Sequence, residues 1–307
     1  MDINKFIVFE SVADTLNFTK SGEMLGYTQS GISHILKTLE TELGFPLFVR
    51  SRQGVTLTSN ARALLPKVRA LIRMNEEIEQ TVNAINGIES GHITIASFAS
   101  ISRRWLPKII YSFREKYPKI EIELREGGTD DITEWILNTE ADFGLLSHRH
   151  IGSSLTWIPL YEDPLVAVLP ADYPVGNRKS FPIKAFDGQP FIISAEGVDY
   201  DIHAVLADGH VNPAIRFSSK DDHAIQSMVE NHLGISILPK LVLDPEIHAI
   251  QTLPLSPARS RELGIAAPPE EAISPAAGKF IAAVRDFISS LPADSSNTAA
   301  TEAALHA

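Results

Sequence analysis

Residues 18–58 constrain the fold of this 307-residue chain more than any other segment, because several local patterns follow one another there. Two short runs with helical periodicity flank Gly26-Tyr27, and two alternating, strand-like runs come next. One face of the second run is apolar at helical spacing, with Ile32, Ile35, Leu36 and Leu39. The opposite face is polar, with Ser30, Ser33, His34 and Lys37. The pattern predicts two helices around a tight turn, with Thr19 and Thr28 as their N-caps, followed by a hairpin.

A polar face of this composition fits the major groove of duplex DNA, where base edges offer hydrogen-bond donors and acceptors between flanking phosphates. An ordinary solvated helix face is the alternative for these residues taken alone. The order of the elements favours DNA, because a hairpin directly follows the second helix. The predicted DNA contacts lie on both helices and the hairpin: Thr19, Lys20, Thr28, Gln29, Ser30, Ser33, His34, Lys37, Arg50 and Arg52.

The hairpin pattern pairs residues 47–50 with residues 55–58 around Ser51-Arg52-Gln53-Gly54. Arg52 at its tip would reach the DNA backbone or the minor groove, as a wing does. A surface hairpin with incidental charge is the alternative. We expect a winged helix-turn-helix domain over residues 1–58.

The first 60 residues resemble the LysR-type transcriptional regulators. The shared residues keep the family's spacing: Phe9-x-x-Val12-Ala13, Phe18-Thr19, Leu25-Gly26-Tyr27-x-Gln29, Ile32-Ser33, Leu39-Glu40, Leu43-Gly44-x-x-Leu47-Phe48-x-Arg50 and Leu57-Thr58. The chain departs from the family pattern at Ser21-Gly22, Ser30-Gly31, His34 and Asn60-Ala61. The resemblance implies a DNA-binding regulator that responds to a small effector and assembles as a tetramer.

Charge is distributed unevenly along the chain. The net charge is −11, but residues 1–90 hold nine Lys/Arg and ten Asp/Glu, so the acidity lies mostly beyond them. The absence of cysteine excludes disulfides, thiolate metal sites and cysteine nucleophiles. The sequence has no signal-peptide pattern and no apolar run long enough to span a bilayer, so we expect a cytoplasmic, nucleoid-associated protein.

A long helix is predicted from Ser59 to about Asn86, within a linker segment at 59–90 that ends in a hinge around Ile88-Glu89-Ser90-Gly91. A heptad seam runs along it: Leu64, Val68, Leu71, Asn75, Ile78, Val82 and Ile85. One helix cannot bury this stripe alone, which predicts a dimerisation helix. Packing against the chain's own carboxy-terminal domain is the alternative. Asn75 near the dimer axis would fix the register.

Residues 91–291 alternate between strand and helix patterns, which predicts α/β units around a mostly parallel sheet. Further segments resemble the family's effector domain, among them Asp142-Phe143-Gly144-Leu145 and Gly234-Ile235-Ser236-Ile237-Leu238-Pro239. That resemblance implies a fold like a periplasmic binding protein, with subdomain I at 91–161 and 267–291 and subdomain II at 162–266. We expect a disordered tail at 292–307.

Ligands of open α/β folds bind where strand ends meet helix amino-termini. The residues at such places are mainly hydroxyl-bearing: Ser97, Ser100, Ser102, Thr129, Ser147, His148, Ser194 and His203. Each serine or threonine, taken singly, is more typical of a helix cap. Their predicted convergence favours an effector cleft, to which Arg103 and Arg149 would add charge. We expect an anionic small molecule there.

No enzyme motif is complete in this sequence. The segments around Ser33 and Ser236 lack the final glycine of a nucleophile elbow, and no phosphate-binding or dinucleotide-binding glycine pattern occurs. His148-Arg149-His150 and Asp221-Asp222-His223 lack a second cluster at metal-ligand spacing. We therefore predict no enzyme, cofactor or metal. The partners would be an inverted-repeat promoter, the effector, further copies of the chain and RNA polymerase; the alternative is a small-molecule-binding module without DNA-dependent function.

Overall fold

The computed structural model describes residues 2–51, 54–85, 90–244 and 249–291. Arg52, the first part of the predicted hinge and the predicted tail at 292–307 lie outside these ranges. The chain divides into two compact units, one formed by residues 1–88 with 138–140 and the other by residues 89–137 with 141–307.

The first unit consists of four helices and one hairpin. Asn17 caps the second helix by accepting hydrogen bonds from the amides of Thr19 and Lys20, at 3.0 and 3.1 Å. Thr19 therefore lies inside that helix, and its prediction as the N-cap was wrong: Asn17 stands one residue before Phe18, where an amide oxygen can accept from both amides. The elements are α1 (Ile3–Thr15), α2 (Phe18–Leu25), α3 (Gln29–Leu43), β1 (Phe48–Ser51), β2 (Gly54–Leu57) and α4 (Ser59–Ile85).

The core of the first unit uses one end of the long helix α4. Phe9, Leu39 and Leu47 are fully buried at its centre. Val68 of α4 is also buried there, and Leu64 packs against the same core. These two side chains pack within their own protomer. The part of the predicted dimer seam that a second chain can contact therefore begins after Val68.

The second unit contains two apolar cores. The first lies around the βαβ part of a large sheet, where β3 pairs parallel to both β4 and β5. Two helices follow β3 rather than one, because Pro107 in the first turn of the second has no amide to continue the first. The elements are β3 (Ser90–Ser97), α5 (Ala99–Arg104), α6 (Leu106–Lys116), β4 (Lys119–Glu126), α7 (Thr129–Leu137), β5 (Phe143–Ser147) and α10 (Pro275–Ser289).

The second core begins along the long strand β6 (Thr156–Pro170), whose residue Leu165 packs within it. At its amino-terminal half β6 pairs antiparallel with β12 (Ser260–Ala267), and at its carboxy-terminal half with β10 and β11. The remaining elements are β7 (Phe181–Pro182), β8 (Pro190–Ser194), α8 (Asp201–Asp208), β9 (Ala214–Ser219), α9 (Asp222–Glu230), β10 (Ser236–Pro239) and β11 (Ile250–Ser256).

Two details of this unit differ from the sequence-based expectation. The large sheet is mixed rather than mostly parallel, because β6 and β12 cross between the two cores and pair antiparallel. Leu263 and Ile265 pack in the first core because β12 also pairs with β5, so that core takes in residues assigned to subdomain II. His232 adopts a left-handed backbone with φ of 60° after α9.

Candidate functional site

Local geometry holds α3 with one face outward. Gly22 lies so close to the turn that an added Cβ would come within 2.6 Å of the Tyr27 carbonyl oxygen. Gly26 ends α2 in the left-handed region at φ 72°, and Thr28 caps α3 by accepting a hydrogen bond from the Gly31 amide at 3.1 Å. Since Ile32 is fully buried in the core, the opposite side of α3 faces solvent.

The predicted DNA contacts form one polar surface on this side. Thr28 and Ser30 place their hydroxyls 3.0 Å apart at the start of α3, and Ser33 is half-buried. Residues on both helices are exposed: Thr19, Lys20, Thr28, Gln29, Ser30, His34 and Lys37. Arg50 belongs to β1, where its backbone pairs with Val55. The side chains of Arg50 and Arg52 lie outside the described part of the chain.

An apolar stripe runs along the exposed part of α4. Four predicted seam residues have about half or more of their surface exposed: Leu71, Ile78, Val82 and Ile85. Asn75, midway between Leu71 and Ile78, donates a side-chain hydrogen bond to Glu79 at 3.0 Å. An apolar stripe of this kind on a helix is typical of a surface that a second chain covers.

A buried guanidinium lies at the centre of the second unit. Arg261 of β12 contacts Asp163 of β6 at 2.9 Å and Asp199, which follows β8, at 2.8 Å. Nη2, the nitrogen that lies 2.9 Å from Asp163, also donates to the Ser100 hydroxyl at 3.2 Å, and Nε donates to Asp163 at 3.0 Å. Burial opposes the charge on Arg261, but Asp163 and Asp199 raise its pKa above the ordinary value. The arginine therefore connects the crossing strands, α5 and the loop after β8.

A second carboxylate lies beside this cluster. Asp201, the first residue of α8, accepts hydrogen bonds from the Ser147 hydroxyl and from the Arg149 guanidinium, the latter at 2.7 Å. Burial and the nearby Asp199 raise the pKa of Asp201 to about 6, against the lowering effect of Ser147 and Arg149. These bonds join the end of β5 to the start of α8.

Two adjoining cavities open beside Arg261. The first encloses about 270 Å³ between the helix starts and the loop after β8. The second encloses about 230 Å³ and shares Ser100, Glu126, Lys220 and Asp222 with the first. Their lining combines carboxylates, cations and backbone, which is the mixture that fixes the orientation of small polar ligands.

The predicted cleft residues divide into two groups. Ser100 lines both cavities, and Arg103 lines the second. Two other predicted residues are buried and donate hydrogen bonds to backbone carbonyls instead. Thr129 donates to the Val198 carbonyl at 3.2 Å, and Ser97 donates to the Phe98 carbonyl at 3.1 Å.

The remaining predicted residues also lie outside the cavity walls. Ser147 is bound to Asp201, and His203 contacts the carbonyl of buried Ser194 at 3.3 Å. His148 is exposed and its ring packs against Trp157. The Ser102 hydroxyl is buried without a hydrogen-bond partner among the described residues.

Sequence reasoning missed the charged residues that build the cavity. Arg261, Leu263 and Ile265 follow one another at every second position of β12, and all three are buried. A charged residue in a row of side chains that faces the core was the signal available in the sequence. Asp163 likewise stands two residues before a continuous buried run in β6 that begins at Leu165. Asp199, Asp222 and Lys220 carried no comparable local signal, since long-range folding brings them together.

The described residues contain neither a metal-ligand cluster nor a membrane-spanning helix. Across residues 2–51, 54–85, 90–244 and 249–291, no group of three His, Asp or Glu side chains is arranged to hold a metal ion. Over the same residues, no helix is long and apolar enough to cross a membrane.

Comparisons with known proteins cover almost the whole chain. Residues 3–62 match the family model described as bacterial regulatory helix-turn-helix protein, lysR family, and residues 86–289 match the LysR substrate binding domain. An uncharacterized HTH-type transcriptional regulator of Bacillus subtilis, YvbU, is 30% identical over 94% of this chain and 99% of its own length.

Solved structures show a similar fold. A full-length OxyR variant from Pseudomonas aeruginosa is 20% identical, with a TM-score of 0.73 over 95% of this chain and 96% of that one. CbnR complexed with its target DNA is 18% identical, with a TM-score of 0.66 over 93% of this chain and 99% of that one.

Proposed function

This chain belongs to the LysR family of transcriptional regulators, and from that premise we propose that it reads its operator through the polar face of α3. It is a DNA-binding regulator with a domain for a small effector. The outward orientation of Gln29, Ser30, His34 and Lys37 supports the proposal, because helices read base edges with short polar side chains and cations. A binding module without DNA-dependent function finds no support, since both family models match.

We propose that two protomers associate along the exposed part of α4. The stripe of Leu71, Ile78, Val82 and Ile85 is apolar and long enough for a paired helix, whereas Val68 is not available. A dimer presents two copies of α3, so the operator would be an inverted repeat. A tetramer and contact with RNA polymerase are further proposals, drawn from the resemblance to the family.

We also propose that the effector binds in the cavity beside Arg261. The cavity lies where Ser100 at the start of α5, the loop around Asp199 and the start of α9 meet. Because these elements belong to the two cores of the second unit, a ligand that contacts both would favour one arrangement of the subdomains. The protein would act by binding rather than catalysis, on chromosomal DNA in the cytoplasm.

The DNA part is tested by fluorescence anisotropy of the full chain with fragments from upstream of its own gene. We expect His34→Ala to weaken binding by about 5- to 150-fold, because a base contact is worth about 1–3 kcal/mol. Lys37→Ala should lower the slope of log affinity against log salt by about one. His210→Ala and Lys108→Ala are matched controls, since both residues are exposed on the second unit. Equal losses in the controls would contradict the proposal.

The effector part needs variants of the cavity. Ser100 lines both cavities, and Ser100→Ala removes the hydroxyl that accepts from Arg261, so the ligand response should weaken while operator affinity is retained. Thr129→Val should have the same effect if Thr129 contributes indirectly, by holding the loop at Val198. A normal response of both variants would contradict the assignment of this cavity.

A further inference from the structure

The cavity beside Arg261 is lined by more carboxylates than cations. Its lining includes Glu126, Asp131, Asp199 and Asp222, against Lys220 and Arg261. The sequence-based expectation of an anionic effector relied on hydroxyl groups at helix starts. The cavity also contains carboxylates beside Ser100, so its charged groups rather than its hydroxyls decide the charge of the ligand.

The cation at the floor of the cavity is already neutralised. Arg261 forms two buried ion pairs, with Asp163 and Asp199, and its third contact is Ser100. An anion that approached Arg261 would compete with two carboxylates fixed within 3 Å of it. Lys220, the other cation of this cavity, is exposed, where water and salt screen its charge.

Asp222 is a half-buried carboxylate in the wall of both cavities. It begins α9 and lines both cavities, and within the described part of the chain its carboxylate forms no hydrogen bond and no ion pair closer than 4 Å. Burial raises its pKa to about 6, against the lowering effect of Arg261 and Arg103 and with further raising by Asp199 and Asp221. Glu126, Asp131 and Lys220 are the other charged groups that line the first cavity, and Arg104 is the other one that lines the second. A ligand cation would give Asp222 an ion-pair partner.

We propose that the effector presents a cationic nitrogen, an ammonium or a guanidinium, to Asp222 in this cavity. The inference rests on the proposed function, in which this cavity is the effector site. A volume of about 270 Å³ suits a compact molecule, and the neighbouring second cavity gives room for a longer one. Arg103 and Lys220 border that second cavity, so an anionic part of the same ligand would point there.

The proposal fixes the sign of the pH dependence. A cation beside Asp222 stabilises its ionised form, so binding releases a proton wherever Asp222 is protonated in the unliganded protein. Between pH 5 and pH 7 the affinity for a cation should therefore rise by about tenfold and then level off. An anion would bind best to protonated Asp222, and its affinity would fall over the same range.

Matched pairs of small compounds test the ligand charge on the full-length protein. The pairs are benzylamine with benzoate, and 1,5-diaminopentane with glutarate, titrated by calorimetry and thermal shift from pH 5 to pH 7.5. We expect the amines to bind and the acids not to bind. Asp222→Asn should weaken amine binding at least tenfold and remove its pH dependence. Asp208→Asn, the same change on an exposed residue of α8, should leave both unchanged.

Three results would overturn the inference: carboxylates that bind more tightly toward acid pH, no shift with either amine, or equal effects of the two variants. The DNA titration separates these failures from failure of the proposed function. If the protein binds its upstream DNA but no amine, only the ligand class is wrong. If it binds no DNA, the regulatory function itself is wrong.

Discussion

Replacing Arg261 with methionine tests whether the buried ion pairs stabilise the second unit. The substitution keeps an unbranched side chain but leaves Asp163 and Asp199 buried without their cation. Removing one member of a buried ion pair costs about 3–5 kcal/mol, because the remaining charge is uncompensated. We expect the free energy of unfolding at pH 8 to fall by about that amount.

The loss should depend on pH in a defined direction. Burial raises the pKa of Asp163 and Arg261 lowers it, so without Arg261 this pKa rises further above the unfolded value and the folded state binds more protons. Stability is then lost as pH rises toward the raised pKa and partly recovered in acid. We expect Arg261→Met to lower the free energy of unfolding less at pH 5 than at pH 8. The difference is about 1.4 kcal/mol for each pH unit over which one carboxylate is protonated in the folded state but ionised in the unfolded state.

Urea denaturation followed by tryptophan fluorescence isolates the relevant unit, because all three tryptophans, Trp105, Trp135 and Trp157, belong to it. Arg259→Met is the matched control, since the hydrogen bond that the Arg259 side chain forms with the described residues goes to the neighbouring Ala258 carbonyl and to no carboxylate. A cost below about 1 kcal/mol, or one that does not change with pH, would refute the reasoning.

Three further predictions concern the first unit. Asn17→Ala removes the acceptor for two amides at the start of α2 and should lower the stability of this unit by about 1 kcal/mol, measured by helix circular dichroism. Burial and the nearby Asp14 raise the pKa of Glu10 to about 7 although Arg69 lowers it, so Glu10→Gln should stabilise the unit at pH 8 but not at pH 4. Ile78→Glu should raise the dimer dissociation constant at least tenfold in sedimentation, whereas Thr81→Glu, off the seam, should not.

The geometry of α3 was predictable because its determinants are local. Thr28 caps the helix from within the same segment, and the apolar spacing of Ile32, Leu36 and Leu39 decides which face turns inward. The cap of α2 was predicted two residues too late, since Asn17 and Thr19 are both good capping residues. Helical period therefore identified the exposed polar surface more reliably than the helix ends.

The cavity was not predictable to the same extent. Its floor joins Asp163, Asp199 and Arg261, which are far apart in sequence and meet because β12 lies beside β6. A single sequence gives the helix starts, and so Ser100, but not the order of strands in a mixed sheet. The long helix α4 shows the same limit, because its heptad pattern continues through Val68 although that side chain belongs to the protomer's own core.

Photo-crosslinking from position 34 tests the central claim most directly. A photoreactive amino acid replaces His34, and the protein is irradiated with the DNA upstream of its own gene. The account predicts crosslinks to bases in two half-sites related by inverted symmetry, with none from the same amino acid placed at position 210. Crosslinks absent from position 34, or equal from both positions, would contradict it.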